Sequence, residues 1–219
     1  MDKLRLRFEK TGRAVYISHL DLMHTMQRAF SRAGFELKYS EGFNPHPQIS
    51  IALPLSVGTA SVCEILDFKL NCDADLDILP ERLSAVLPEG IKVTECYEPT
   101  RKVAELKYLE VSGRFEYDDR PADEMAAKLT NFFSADSIVI TKKTKRGIGE
   151  ADIRPAIKKI RFNPAESAVG IKAVLSAQEP TLNPDQLVSA LKQISPELAP
   201  DFANFARLET YMSDMQIYR

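Results

Sequence analysis

The chain is 219 residues long, 44% hydrophobic and 27% charged, with a formal net charge of −2. That balance is ordinary for a globular protein, neither polar enough for a disordered chain nor apolar enough for a membrane protein. No apolar run approaches the roughly 18 residues a spanning helix needs, and MDKLRLRFEK alternates charge with hydrophobe where a signal peptide has an apolar block, so a cytoplasmic protein with no membrane partner is expected.

Leu4, Leu6 and Phe8 alternate with Arg5, Arg7 and Glu9, the period-2 pattern of a half-buried strand. From Ser18 the period becomes helical through Leu22, Met23, Met26, Ala29, Phe30 and Ala33. Ser18 suits the N-cap, Asp21 stands at N3 as in a capping box, and Gly34 can end the helix. A strand is predicted at Phe35–Tyr39, then a Gly/Pro-rich loop SEGFNPHPQ, then strands at Ile49–Leu53 and Val62–Leu70. A helix over about Asp75–Val86, bounded by Pro88 and Gly90, leads to a strand at Ile91–Tyr97.

The second half repeats the order: strand Leu106–Tyr117, helix Ala122–Phe133, strand Ser137–Lys142, a basic insertion, strand Val169–Ser176, helix Pro184–Ile194 and a last strand near Phe205–Met212. The repeat is one of pattern, with a period of roughly a hundred positions. The predicted fold is therefore α+β: two tandem ferredoxin-like (βαββαβ) halves with antiparallel sheets, each carrying two helices on one face, divided as 1–100 and 101–219. Both halves are expected to lengthen the connection between their second and third strands, and loops on a rigid scaffold are where function tends to sit.

Charge is unevenly spread. Residues 142–161 hold Lys142, Lys143, Lys145, Arg146, Arg154, Lys158, Lys159 and Arg161 against Glu150 and Asp152, a local charge of +6 in a chain that is otherwise −8. Such a contrast focuses potential toward a polyanion. Cys63, Cys72 and Cys96 are separated by 9 and 24 positions, with no C-x-x-C spacing. They read as buried small hydrophobes, and no metal or cofactor is expected.

Two segments carry the densest polar detail: Tyr16-Ile-Ser-His-Leu-Asp21, running into the first helix, and Gly42-Phe-Asn-Pro-His-Pro47. With Gln27-Arg-Ala-Phe-Ser-Arg-Ala-Gly34, Tyr39-Ser40 and Leu53-Pro-Leu-Ser-Val-Gly58, they resemble the signature of a bacterial family of radical-SAM-associated proteins of unknown function, densely over residues 13–70. In that family the domain stands beside or fused behind a radical SAM protein, often encoded near a ribonuclease of the E/G type and ribosomal proteins. The resemblance thus implies a radical SAM protein as partner, and the basic stretch at 142–161 adds RNA, tRNA or rRNA, as an expected second one. A radical SAM cluster needs three closely spaced cysteine thiolates, which this chain lacks.

His19, in the first helical turn, and His46, fixed between two prolines, are weak candidates for acid–base catalysis or metal binding. The bland alternative is that Ser18, His19 and Asp21 cap the helix while Asn44 and His46 tie down their own loop. His24, Gln27, Arg28, Ser31 and Arg32 form a polar stripe, and Arg28 and Arg32 match family positions that also carry arginine. His24 departs from the family, which more commonly has a basic residue there. An arginine pair one turn apart suits phosphates through its bidentate forks. The expected ligand or RNA contacts are Arg28, Arg32, Asn44, His46, Lys142, Lys143, Lys145, Arg146 and Arg154. Asp152-Ile-Arg-Pro155 again resembles the family, where an arginine-proline step recurs.

The expected function is a noncatalytic accessory or substrate-presenting partner of a radical SAM enzyme, binding RNA through its backbone, since neither an aromatic RNP pattern nor a GXXG clamp supports base readout. Two alternatives stay open. Tandem ferredoxin-like halves with a helix-borne His resemble, in fold only, CRISPR RNA-processing endonucleases; a purely protein-binding adaptor is the other.

Overall fold

The computed structural model describes residues 3–144 and 147–219. Two compact units emerge, Met1–Val103 with Arg219, and Ala104–Tyr218. Both are α+β, and every strand pairing within each is antiparallel.

The first unit runs β1 (Leu4–Lys10), α1 (His19–Arg32), β2 (Ile49–Ile51), β3 (Ala60–Phe68), α2 (Leu79–Ser84) and β4 (Ile91–Tyr97). Its strands lie in the order β4-β1-β3-β2. Leu4, Leu6 and Phe8 of β1 are buried with Leu22, Met26, Ala29 and Phe30 of α1 in one core, where the Phe30 and Phe68 ring centroids are 4.7 Å apart. The α1 start is the predicted capping arrangement: Ser18 Oγ accepts from the Asp21 amide at 3.2 Å and donates to its carboxylate at 2.7 Å. β1 is more buried than its alternation predicts, because Arg5 donates to Asp67 from Nε at 2.6 Å and from Nη2 at 3.1 Å. Bidentate pairing lets the two charges leave water together.

The second unit runs β5 (Tyr108–Glu116), α3 (Ala122–Phe133), a hairpin of β6 (Val139–Thr144) and β7 (Gly147–Asp152), then β8 (Ile157–Ala165), β9 (Ala168–Ser176), α4 (Asp185–Ile194) and β10 (Phe202–Tyr211). The sheet order is β10-β5-β9-β8, with the hairpin a sheet of its own. Gly113 of β5 makes room for Phe205 of β10, whose ring would stand 2.6 Å from a Cβ there. The hairpin is anchored at the start and near the middle of its first strand. Ile138, Ile140 and Ile153 are buried, Asp152 accepts the amides of Ile138 and Arg154, each at 2.9 Å, and the Gln193 side chain of α4 accepts from Thr141 N at 2.7 Å and donates to Thr141 O at 3.1 Å.

Several expectations shift. Phe35 and Leu37 are buried on either side of exposed Glu36, but Tyr39 is exposed too, and the stretch forms only the bridges Leu37↔Leu70 and Tyr39↔Pro47, because β2 already occupies β3 through Phe68. The second helix begins at Leu79, since the Asp75 side chain accepts the Asp77 amide at 3.0 Å in an Asx turn and Pro80 fits only the first helical turn. The strand predicted at Ser137–Lys142 belongs to the hairpin, and the unit's second long strand is β8, which begins inside the stretch 142–161 read as insertion. Its pattern is hidden by a bulge between Ile157 and Lys159, which puts Ile157, Ile160 and Phe162 out of strict alternation. The long connections therefore precede the second sheet strand of each unit rather than follow it.

Candidate nucleic-acid interface

In the second unit the sheet has two unlike faces. Leu109, Val111 and Phe115 of β5 and Val169, Ile171, Ala173 and Leu175 of β9 are buried, and Phe162, opposite Ile171, stacks on Phe133 of α3 at 5.4 Å. That face belongs to the helices. Alternate positions point away from it: Ser112 and Arg161 flank Lys172, Asn163 and Arg114 flank Gly170, and Glu110 and Lys159 flank Val174.

This open face is cationic. Arg114, Lys159, Arg161 and Lys172 are exposed, against the acids Glu110, Glu116 and, opposite Glu110 on β10, Glu209. Lys172 Nζ lies 2.7 Å from Glu110 Oε1, and Arg114 Nε 3.1 Å from Glu116 Oε1. The Lys172 bond, and next a 2.6 Å bond donated by Tyr211 Oη, hold the Glu110 carboxyl below its usual range. Arg161 forms no ion pair among the described residues. The β8 bulge turns Lys158 aside, and its ammonium lies 4.8 Å from the Tyr108 ring centroid.

Next to this face, between α3 and β8, a groove of about 300 Å³ is lined by Phe133, Arg154, Lys158, Lys159 and Phe162. Arg154 donates to Ala135 O at 3.1 Å and to Ile157 O at 3.0 Å, so it joins the end of α3 to the start of β8 and borders the groove as a fixed cation. Lys142 is half-buried on β6 and Lys143 follows it in the strand. Lys145 and Arg146 lie outside the described residues.

In the first unit the predicted residues separate into tied and free ones. His46 Nδ1 is 2.9 Å from Ser40 Oγ, and that hydroxyl accepts the His46 amide at 3.1 Å, so the imidazole holds its own loop. His19 is half-buried. No group of three His, Cys, Asp or Glu side chains suited to a metal occurs among the described residues. Arg32 donates to Val86 O at 2.7 Å beyond the end of α2, while Arg82 donates to Ala33 O at 2.6 Å at the end of α1 and covers the Phe35 ring. Each arginine thus caps the other's helix. Arg28 and Asn44 are exposed.

Sequence reasoning missed Arg114 and Lys172 altogether, because neither lies in a charge run. It counted Lys159 and Arg161 but assigned them to an insertion. The signal that finds them is register: each falls on the strand positions that alternate with those packed on the helices.

These features define an α+β protein of two units, each a set of antiparallel strands backed by helices, one of which presents a basic open face. The chain belongs to the bacterial family described as "Uncharacterized protein conserved in bacteria (DUF2344)", whose model matches residues 3–184. No curated protein matches it. In fold it is similar to a chain of a Cbf5-Nop10-Gar1 complex, with a TM-score of 0.52 at 10% identity over 94% of this chain and 48% of the other, so it spans about half of that chain's length. Two further matches each cover 94% of this chain. One is an unknown protein from Galdieria sulphuraria (TM-score 0.27, 10% identity, 98% of that chain). The other is the CRISPR endoribonuclease Cse3 bound to a 19-nucleotide RNA (TM-score 0.20, 14% identity, the whole of that chain). No helix among the described residues is long and apolar enough to cross a membrane.

Proposed function

We propose that this protein is a noncatalytic, cytoplasmic RNA-binding partner of a radical SAM enzyme, which it supplies with substrate, and that each unit is an elaborated ferredoxin-like module. The observation that carries the RNA reading is the open face of the second sheet, where Arg114, Lys159, Arg161 and Lys172 stand on three neighbouring strands. Cations spaced along adjacent strands form a flat lattice for phosphates, and phosphate neutralisation supplies most sequence-independent affinity. The strand orders β4-β1-β3-β2 and β10-β5-β9-β8 support the module reading. The radical SAM partner is supported by the segments over residues 13–70.

The test is binding of a structured RNA by fluorescence anisotropy at several salt concentrations. Replacing Lys159, Arg161 and Lys172 with Ser should reduce the slope of log affinity against log salt by about 0.7 for each lost single-strand contact. Replacing Lys142, Lys143, Lys145 and Arg146 with Ser measures the hairpin's share in the same units. Absence of RNA binding by the wild type at low salt would leave the adaptor role. Metal-independent cleavage of the RNA, lost on changing His19, His24 or His46, would establish an endonuclease. Copurification with a radical SAM protein tests the partner.

A further inference from the structure

The segment Gly42-Phe-Asn-Pro-His-Pro47 sits on a heavily tied stem. Ser40 N donates to His46 O at 2.8 Å, Gln48 N to Lys38 O at 2.7 Å, Gln48 Nε2 to Tyr39 O at 3.2 Å, and Lys38 N and Lys69 N bond to Lys69 O and Gln48 O at 2.8 and 3.0 Å. Above this stem the chain turns at Gly42, with φ at +119°, and Phe43 is fully exposed (112%). An aromatic ring stabilises a fold by being buried; this ring is not, although hydrogen bonds hold the stem on either side of it. Such pre-organisation is what lowers the cost of binding a partner.

The surroundings indicate which partner. Below the tip, a groove of about 250 Å³ is lined by Lys3, His46, Gln48, Asp67 and Lys69. Asp67 is paired with the buried Arg5 and with Lys3, 2.5 Å away, and Glu41 is the one acid of the loop, so Lys3 and Lys69 outnumber Asp67 among the charged side chains that line the groove. A bare aromatic ring three positions along the chain from His46, which lines a cationic groove, matches a nucleotide: the ring stacks on a base, the amide of Asn44 is available to the base edge, and the groove takes the phosphate. We infer that the loop is a base-stacking clamp for one unpaired nucleotide of RNA, with Phe43 as the stacking residue. The inference rests on the RNA reading above and adds single-strand recognition to it.

The chain contains no tryptophan, so Phe43→Trp creates a unique fluorophore at the tip. Titrating that variant with a short single-stranded oligoadenylate should quench its emission, while inorganic polyphosphate of matched charge should not. Phe43→Ala should lower affinity for the oligonucleotide by about tenfold and leave the salt slope unchanged, since stacking releases no counterions. Circular dichroism serves as the folding control. If the wild type binds RNA but Phe43→Trp emission is unchanged and Phe43→Ala binds equally well, the clamp is wrong and the sheet-face reading stands. If the wild type binds no RNA, both fail. Quenching by polyphosphate alone would also overturn stacking.

Discussion

The two units share a strand order and use the same surface in opposite ways. On the central strand pair of the first unit, the side of the sheet away from its helices holds the Arg5–Asp67 pair, 0% and 2% exposed. On the corresponding pair of the second unit, β5 and β9, the same side carries Lys172, 61% exposed, against Glu110. Topology sets where a side chain points, whereas the fate of that face is set by whether its charges are paired and buried or displayed. A buried pair fixes structure; a displayed one remains available to a polyanion.

The largest test of this contrast is Asp67→Ala. Removing one member of a buried ion pair leaves the buried Arg5 charge without its Asp67 carboxylate, which typically costs about 3–5 kcal/mol. Urea denaturation should show that loss in the midpoint, and the joint replacement Arg5→Met with Asp67→Leu should recover most of it. A loss below about 1 kcal/mol would place the pair among weak surface contacts. Gln193→Ala, in the second unit, removes both side-chain bonds from α4 to Thr141 and should cost about 1–2 kcal/mol. Its signature is local: amide exchange along β6 should accelerate while that of β5 and β9 does not.

What was legible in the sequence follows from these packing relations. α1 and α3 were readable at or near their full lengths, because Leu22, Met26, Ala29 and Phe30, and likewise Met125, Leu129 and Phe133, mark one helical face. β8 was not, because its bulge breaks the alternation and its exposed lysines look like a loop. Those lysines, the bulge and Pro164 also protect a sheet edge, so one set of residues serves solubility and display together. The open face escaped detection since its cations come from strands far apart in sequence, joined only by register. Arg32 was read as a free phosphate ligand because its carbonyl partner, Val86, is 54 residues away.

That partner separates the two arginines of α1. Arg32→Ala should lower stability by about 1 kcal/mol, an exposed charged hydrogen bond being worth less than a buried one, with a small effect on RNA. Arg28→Ala, whose side chain is exposed, should leave stability within about 0.5 kcal/mol of wild type and weaken RNA binding if the helix face reaches a phosphate. Equal effects of both on affinity, with no change in stability, would show that the Arg32 cap is dispensable.

The smallest effect concerns Glu110. Its carboxyl titrates below the ordinary range because Lys172, and then Tyr211, bond the charged form. A carboxyl whose folded value is depressed adds stability that is complete above its unfolded value, about 4.3, and is lost as pH falls through the folded one. Lys172→Met removes the larger of the two causes, so the variant should be less stable than wild type by about 0.5–1 kcal/mol at neutral pH, the ammonium being exposed and screened. As pH drops from about 5 to 3, Glu110 protonates in both proteins and the difference should shrink toward zero. Thermal melts across that range, at low and at high salt, read it directly. A difference that stays constant with pH would mean that Lys172 acts through the packing of its methylene stem on the sheet, and its charge would then be free for RNA at no cost to the fold.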